Sequence, residues 1–464
     1  MDRVDVQLAA DRHAVLLGGF LTPVLVSAVS YFGRLPGIEL PNPVLLGAIL
    51  VCMIGGGWVT GRITTRPLRA GTFAGLLAGV LALVLLGSVI AEESPNELRD
   101  NAAWIVCGFF ATSAAAGVLG AAIGSRFPAP KGTVADAVGS FAKVAVAATF
   151  VLVVIGGVVT SADAGLAVYD WPTSFEANMF LLPLSKMVGG VFYEHAHRLF
   201  GALIGLVTMT FGVYLLSCDR RRWVRVLAVV AMVLVVGQGL LGADRVLRAG
   251  LDASGGQDNV SARSVAVVHG VTGQVFLALL AFLAAATSRT WRRLHSHGGA
   301  GPTGGAIASL VLVSMLIIQL TLGAMLRHHG RDPWLLWHMG FAFVVFVQAL
   351  IASLRAQRLG VDLPGFGPTG AVLFWLPLAQ IGLGFAAMTV TSPEVQAQQA
   401  HAALVVATGH QGLGALLLVT AVVLLAWHLR LVLGHRLESR SDLASLSLAA
   451  NERQPGAPVP ELPR

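Results

Sequence analysis

Twelve long apolar runs limit what this chain can fold into more than any other feature. They lie near residues 14–33, 43–61, 71–91, 103–125, 140–160, 196–217, 224–243, 264–288, 304–326, 334–354, 369–390 and 402–429. About 20 residues of helix cross the roughly 30 Å of bilayer hydrocarbon, and each run is near that length. A barrel strand needs only about ten residues, and an open sheet edge cannot face lipid, so strands are excluded. The expected fold class is an all-α polytopic membrane protein with about twelve transmembrane helices. Of the 464 residues, 12% are charged, about half the share of a soluble domain. The opening Met1-Asp-Arg-Val-Asp lacks the pattern of a cleavable signal, so the first run is expected to stay as a span.

Loop charge sets the expected orientation. Arginines crowd alternate loops: Arg62/Arg66/Arg69, Arg126/Lys131, Arg220/Arg221/Arg222/Arg225, Arg289/Arg292/Arg293, Arg355/Arg358 and Arg430/Arg436/Arg440. The other loops, including Glu92-Glu93 and the stretch from Asp163 to Glu194, are acidic or mixed. The positive-inside rule puts both termini in the cytoplasm of a bacterial-type inner membrane. The net charge of +7 then reflects orientation, and no nucleic-acid partner is expected. Cys52, Cys107 and Cys218 have no CxxC spacing, which argues against zinc and against a disulfide.

The second layer of order is a repeat. The seventh, ninth and eleventh runs carry Gln238-Gly-Leu-Leu-Gly242, Gln319-Leu-Thr-Leu-Gly323 and Gln380-Ile-Gly-Leu-Gly384. The fifth carries a looser Val154-Ile-Gly-Gly157. Each is followed by a run that opens with a histidine: His197, His269, His338 and His410. Four such helix pairs group into two pseudo-symmetric four-helix bundles, an eight-helix core. The expected domains are 1–135, a separate four-helix module of unassigned role; 136–295 and 296–432, the two halves of the core; and 433–464, a disordered cytoplasmic tail.

Glu194 and His197 lie three apart on one helical face that continues to Gly201 and Gly205, suiting either close helix packing or a flat ligand. His195 points elsewhere. A single interfacial histidine usually reaches for lipid headgroups, but four in register permit two cross-helix pairs, His197 with His269 and His338 with His410. Paired imidazoles on facing helices of a bundle are a way to hold a haem iron from both sides, making these four the candidate metal ligands. His401 sits at a loop edge, and His13, His295, His297, His428 and His435 read as ordinary loop residues. Before the sixth run stands Gly165-Leu-Ala-Val-Tyr-Asp-Trp-Pro172, with Gly165 read as a tight turn and Trp171-Pro172 as an interfacial lid. Arg198, Arg245 and Arg327 could pair haem propionates or snorkel to headgroups.

In these motifs, residues 140–430 resemble the haem A synthases, the bacterial and mitochondrial enzymes that convert haem O to haem A. The carrying pieces are Gly165 to Pro172, Glu194-His-Ala-His-Arg198 read as Glu-x-x-His-Arg, the Gln-x-x-Leu-Gly helix ends, His269-Gly270, and His410-Gln-Gly-Leu-Gly414. The resemblance implies eight helices in two halves. It implies a haem b cofactor held by His338 and His410; Arg198 and Arg327 are cofactor contacts expected from the residues themselves. It implies the substrate haem O near His197 and His269, with Glu194 as catalytic acid/base. The implied reaction oxidises a porphyrin ring methyl to a formyl group for terminal oxidase assembly. The implied partners are haem O, its synthase and a membrane electron donor, and a homo-oligomer is compatible with such a chain. The chain departs from the pattern in lacking an outer-loop cysteine pair, in having no arginine in Val159-Thr-Ser-Ala-Asp163, and in its first four helices.

Two other functions compete. A bis-histidine b-type electron carrier would use the same histidines but has no need of a carboxylate three residues before a ligand. A transporter can also be built from repeats, but broken helices and mid-membrane charges would mark it, and here the ionisable groups gather at one side.

Overall fold

A computed structural model of the chain describes residues 3–127, 134–250, 260–294 and 302–452. The main helices are α1 (Arg3–Gly33), α2 (Asn42–Ile63), α3 (Pro67–Ile90), α4 (Ala102–Gly124), α5 (Val134–Ser161), α6 (Gly189–Cys218), α7 (Arg222–Gly250), α8 (Val260–Ala286), α10 (Pro302–His329), α11 (Trp334–Leu359), α12 (Phe366–Val390) and α14 (Ala400–Glu452), with short α9 (Arg289–Arg293) and α13 (Pro393–Gln398) between them. Twelve of these are long and apolar enough to cross a membrane, one for each apolar run. The chain is an all-α multi-pass membrane protein. Its one sheet, among the described residues, is the hairpin of β1 (Thr173–Ser174) and β2 (Ala177–Asn178).

The core forms two four-helix bundles. In the first, α5, α6, α7 and α8 pack in a closed ring. In the second, α10, α11, α12 and α14 do the same. Each bundle has its own apolar core, the first around Phe141, Ile155, Phe200 and Phe211, the second around Leu312, Phe366, Leu373 and Trp427. The bundles meet through α5 on α14 and α8 on α10, the pairing that a two-fold relation between halves produces. Outward faces of α7 and α11 are apolar and exposed (Val233, Leu240, Trp337, Phe343), as lipid contact requires.

The first four helices pack by small residues. A Cβ added to Gly57 or Gly61 of α2, or to Gly71 or Gly75 of α3, would strike the backbone of α4 near Ser113, Gly117 and Ala121. Lipid offers no hydrophobic drive between helices, so such close backbone approach holds them together. The module docks on the first bundle through α1, which packs on α5 and α6. Leu17, Phe20 and Val24 of α1 join the core of that bundle. Near one end of α1, His13 is buried and hydrogen-bonded to Tyr214 of α6.

Three expectations are corrected. The stretch after residue 243 is not a loop at once: α7 continues to Gly250, helped by an Asp244–Arg248 ion pair of 2.8 Å one turn apart. The chain after residue 432 does not break: α14 runs 53 residues to Glu452, about 80 Å and well beyond a bilayer. No proline or glycine interrupts it between Gly434 and Pro455. Two histidines read as loop residues are buried: His13, and His428, whose Nδ1 lies 3.0 Å from the Ser309 hydroxyl. The joining segment 128–133, His295 and His297, and the tail after residue 452 lie outside the described residues.

Candidate functional site

The four repeat glycines explain where the histidines sit. A Cβ built on Gly156 of α5 would lie 3.1 Å from Cε1 of His197. On Gly323 of α10 it would lie 3.0 Å from Cε1 of His338, and on Gly384 of α12, 3.1 Å from Cε1 of His410. Gly242 of α7 stands in the same relation to His269, at 3.7 Å. Each glycine is thus a seat for the imidazole of the next helix, and a larger residue would push the ring out. The glutamines tie the same helix pairs. The amide of Gln319 donates to the His338 carbonyl (2.9 Å), that of Gln380 to the His410 carbonyl (3.1 Å), and that of Gln238 to Thr272 (2.7 Å).

Seated this way, the histidines meet in two pairs. The rings of His197 and His269 have centroids 6.4 Å apart at 87°, and those of His338 and His410, 6.3 Å apart at 72°. Two imidazoles bound on opposite sides of one iron, with metal–nitrogen bonds of about 2 Å, place their centroids about 6.2 Å apart. The Nδ1 atoms of His197, His269 and His410 are buried without a hydrogen-bond partner. Along α6, a Cβ at Gly201 or Gly205 would find nothing within 4 Å, so the face leading from His197 is open rather than closely packed. Among the described residues no three His, Cys, Asp or Glu side chains gather to hold a bare metal ion. A two-imidazole site needs a ligand that brings its own equatorial donors, and an iron porphyrin fits that donor set.

The first pair has a further layer. Glu194 is 4% exposed and His195 fully buried. The Glu194 carboxylate accepts the Val168 amide (2.8 Å) and pairs with Arg198 (2.7 Å). The Arg198 guanidinium also donates to the carbonyls of Val168 (2.8 Å), Asp170 (2.7 Å) and Thr173 (3.2 Å). The arginine expected at a propionate is therefore committed to the protein, because three carbonyls and a carboxylate lie within its reach. His195, expected to point away from the Glu194–His197 face, is 3.2 Å from the Ser174 hydroxyl and pins the hairpin to α6. Arg327 likewise reaches a carbonyl, that of Thr160 at the end of α5. Gly165 does lie in a tight turn, closed by the Ala167 amide on the Ala164 carbonyl (3.1 Å), and a Cβ there would also come within 2.5 Å of the Arg245 guanidinium. The left-handed residue that turns the chain is Asp163, at φ 54°.

The hairpin turn is built on Asp170. Phe175 and Glu176 both have positive φ, 55° and 65°, as a two-residue hairpin loop of this hand demands. Such residues usually resist that conformation by about 1–2 kcal/mol each. The two oxygens of Asp170 accept their amides, each at 2.8 Å, and hold them. Partial burial works against the Asp170 carboxylate, but the Thr173 hydroxyl and these amides outweigh it and set its pKa below the usual aspartate value. A depressed carboxylate stabilises the fold above its unfolded pKa, near 3.9, and the contribution disappears as pH falls through the lower folded value. Amide exchange at 173–178, corrected for intrinsic rate, is therefore flat from pH 5 to 8 and rises only below about pH 4. Asp170→Asn removes that rise, and an unchanged acid response in the variant would contradict the assignment.

The comparison with known families agrees with this geometry over part of the chain. Residues 139–333 match the COX15-CtaA family of cytochrome oxidase assembly proteins. The match covers the first bundle from residue 139 of α5 onward and α10, both glutamine–glycine seats within them, and the Gly165–Pro172 loop. It stops at the foot of α11, so the likeness of the second bundle to the first rests on the repeat and on the matching pair geometry. The resemblance read from the motifs over 140–430 is shown over this shorter stretch. No curated relative matches the chain.

Proposed function

We propose that this protein is a haem A synthase-type oxidoreductase, in which the first bundle binds haem O and the second a haem b cofactor. The observation that carries the reading is the duplicated histidine pair, each at the spacing of a six-coordinate iron, with a carboxylate beside only one of them. His197 and His269 would orient the substrate, and His338 and His410 would hold the resident haem. A bound porphyrin iron would mediate the oxidation and relay electrons, with the oxygen atom and the electron acceptor supplied from outside the protein; the protein supplies ligation, orientation and access.

Glu194 separates this reading from a simple electron carrier. His338 and His410 have Leu335 and Ala407 three residues before them, where His197 has Glu194. A carboxylate fixed by the Val168 amide and Arg198 can take or return a proton at the substrate without moving. Its second task is to anchor the loop. Glu194→Gln keeps an acceptor for the Val168 amide and the side-chain shape, but loses the base and the ion pair to Arg198, so Val168 amide exchange is read beside the product to separate loop opening from the lost base. In membranes supplied with haem O and a reductant, extracted haems from wild type carry the formyl product by mass. Glu194→Gln loses at least about 100-fold of that product, the range of general acid–base contributions, while retaining haem. Product at wild-type level in Glu194→Gln would remove the proton-transfer role, and its absence in wild type would remove the enzyme reading in favour of a b-type carrier.

On this reading the site lies at the outer side of the inner membrane, with the arginine-rich loops inside. Haem O and a membrane electron donor are the proposed partners.

A further inference from the structure

The first four helices lie outside the matched family stretch, and the proposed chemistry gives them no task. Their contacts do. The loop between α3 and α4 reaches across to the far end of the α5–α6 loop. Asn96 accepts the Asn178 amide (2.7 Å), Glu93 accepts the Ser185 hydroxyl (2.6 Å), and the Glu93 carbonyl accepts Lys186 (3.0 Å). Asn96 itself has φ 63°, a turn conformation that aims its side chain outward from the short Ala91–Leu98 bridge. At Gly87 of α3 the two segments touch by backbone: a Cβ there would lie 1.9 Å from the Phe180 carbonyl. Lower on the same side, Tyr31 of α1 is 4% exposed and stacks on Phe192 at 5.4 Å and 8°, two residues before Glu194.

These contacts continue a chain already described. The near end of the α5–α6 loop is held to α6 by Glu194, His195 and Arg198. The far end is held to the first four helices, and the hairpin lies between. We infer that the N-terminal module is an intramolecular brace, holding the α5–α6 loop closed over the His197–His269 pair and positioning that pair. The module acts on the first bundle, against which α1 and α3 pack. It is a positioning element, touching no group that the proposed reaction uses directly.

Two substitutions test the brace in the full-length protein in detergent micelles. Gly87→Ala favours helix in α3, so the module itself keeps folding, while the added methyl forces the Phe180 backbone away. Asn96→Ala removes the acceptor for Asn178, and Asn96→Asp restores one. Amide exchange of residues 174–186 rises about tenfold or more in Gly87→Ala and Asn96→Ala, as expected when a loop loses its tether. It returns toward wild type in Asn96→Asp, and residues 334–359 are unaffected. Diethyl pyrocarbonate labelling of the haem-free chain, read by peptide mass, rises at His197 and His269 and stays level at His338 and His410. Unchanged loop exchange in both variants overturns the brace. Faster loop exchange with unchanged labelling at His197 and His269 overturns the positioning of the pair. The inference takes from the proposed function only that this pair is the substrate site. A haem titration of the same samples, followed by absorption, tests that reading separately: wild type that takes up no haem refutes it and leaves the exchange and labelling results standing.

Discussion

Arg198→Ala opens the α5–α6 loop by about two to four orders of magnitude in the local equilibrium. The estimate comes from the general cost of breaking a buried ion pair, about 3–5 kcal/mol when one partner is left uncompensated. The Glu194 and Arg198 side chains are 6% and 10% exposed, so solvent cannot replace the lost partner cheaply. The guanidinium also satisfies three carbonyls from different points of the loop. Lysine cannot reproduce that fork, and Arg198→Lys recovers only a small part of the loss. Exchange at Val168, whose amide is bound to Glu194, reports the opening directly. The double change Glu194→Gln with Arg198→Met leaves no stranded charge and is milder than Arg198→Ala alone. Exchange at Val168 that is equal in wild type and Arg198→Ala would show that the clamp contributes nothing.

The second large effect is at the other pair. If the second pair holds the resident haem as proposed, His410→Ala lowers the haem retained by the purified protein by about half, because one of the two proposed sites loses a ligand. On that reading the lost fraction is the cofactor, and the remaining haem is the fraction that exchanges with added haem O. Gly384→Val reproduces the loss without touching a ligand, since its side chain takes the place of the His410 ring. His401→Ala, at the second residue of the same helix, leaves the haem content as it is. Haem quantification of the three variants beside wild type checks this. Full haem retention in both His410→Ala and Gly384→Val would exclude the second bundle as a haem site.

The membrane architecture was legible in composition alone, since lipid permits so few structures and each span must show as a long apolar run. The pairing of histidines was legible because the repeat puts Gln, Gly and His at fixed places on successive helices. Helix geometry converts that spacing into equal depth. What stayed hidden depends on contacts between distant residues. Arg198 looked free for a propionate, because nothing local reveals the three carbonyls it meets. His195 looked idle for the same reason: its partner, Ser174, lies across a loop. His13 and His428 are lone polar residues in or beside apolar runs, and periodicity cannot tell a buried lone histidine from a loop one. The glycines of α2, α3 and α4 recur at spacings of about four, a small-residue pattern that does signal close packing. The link from Asn96 to Asn178 left no trace in either segment.

Gly156 and Gly157 of α5 give the core an unexpected topology of dependence. Gly156 seats His197 of its own bundle, while the next residue receives Gln411 from α14, the immediate neighbour of His410. The Gln411 amide also reaches the Val153 carbonyl, at 3.4 Å. One helix turn therefore forms a party wall, with a tenant on each side. The second half borrows part of its lining from the first. The halves are similar in plan and unequal in self-sufficiency, so one bundle cannot be exchanged for a copy of the other without rebuilding that wall.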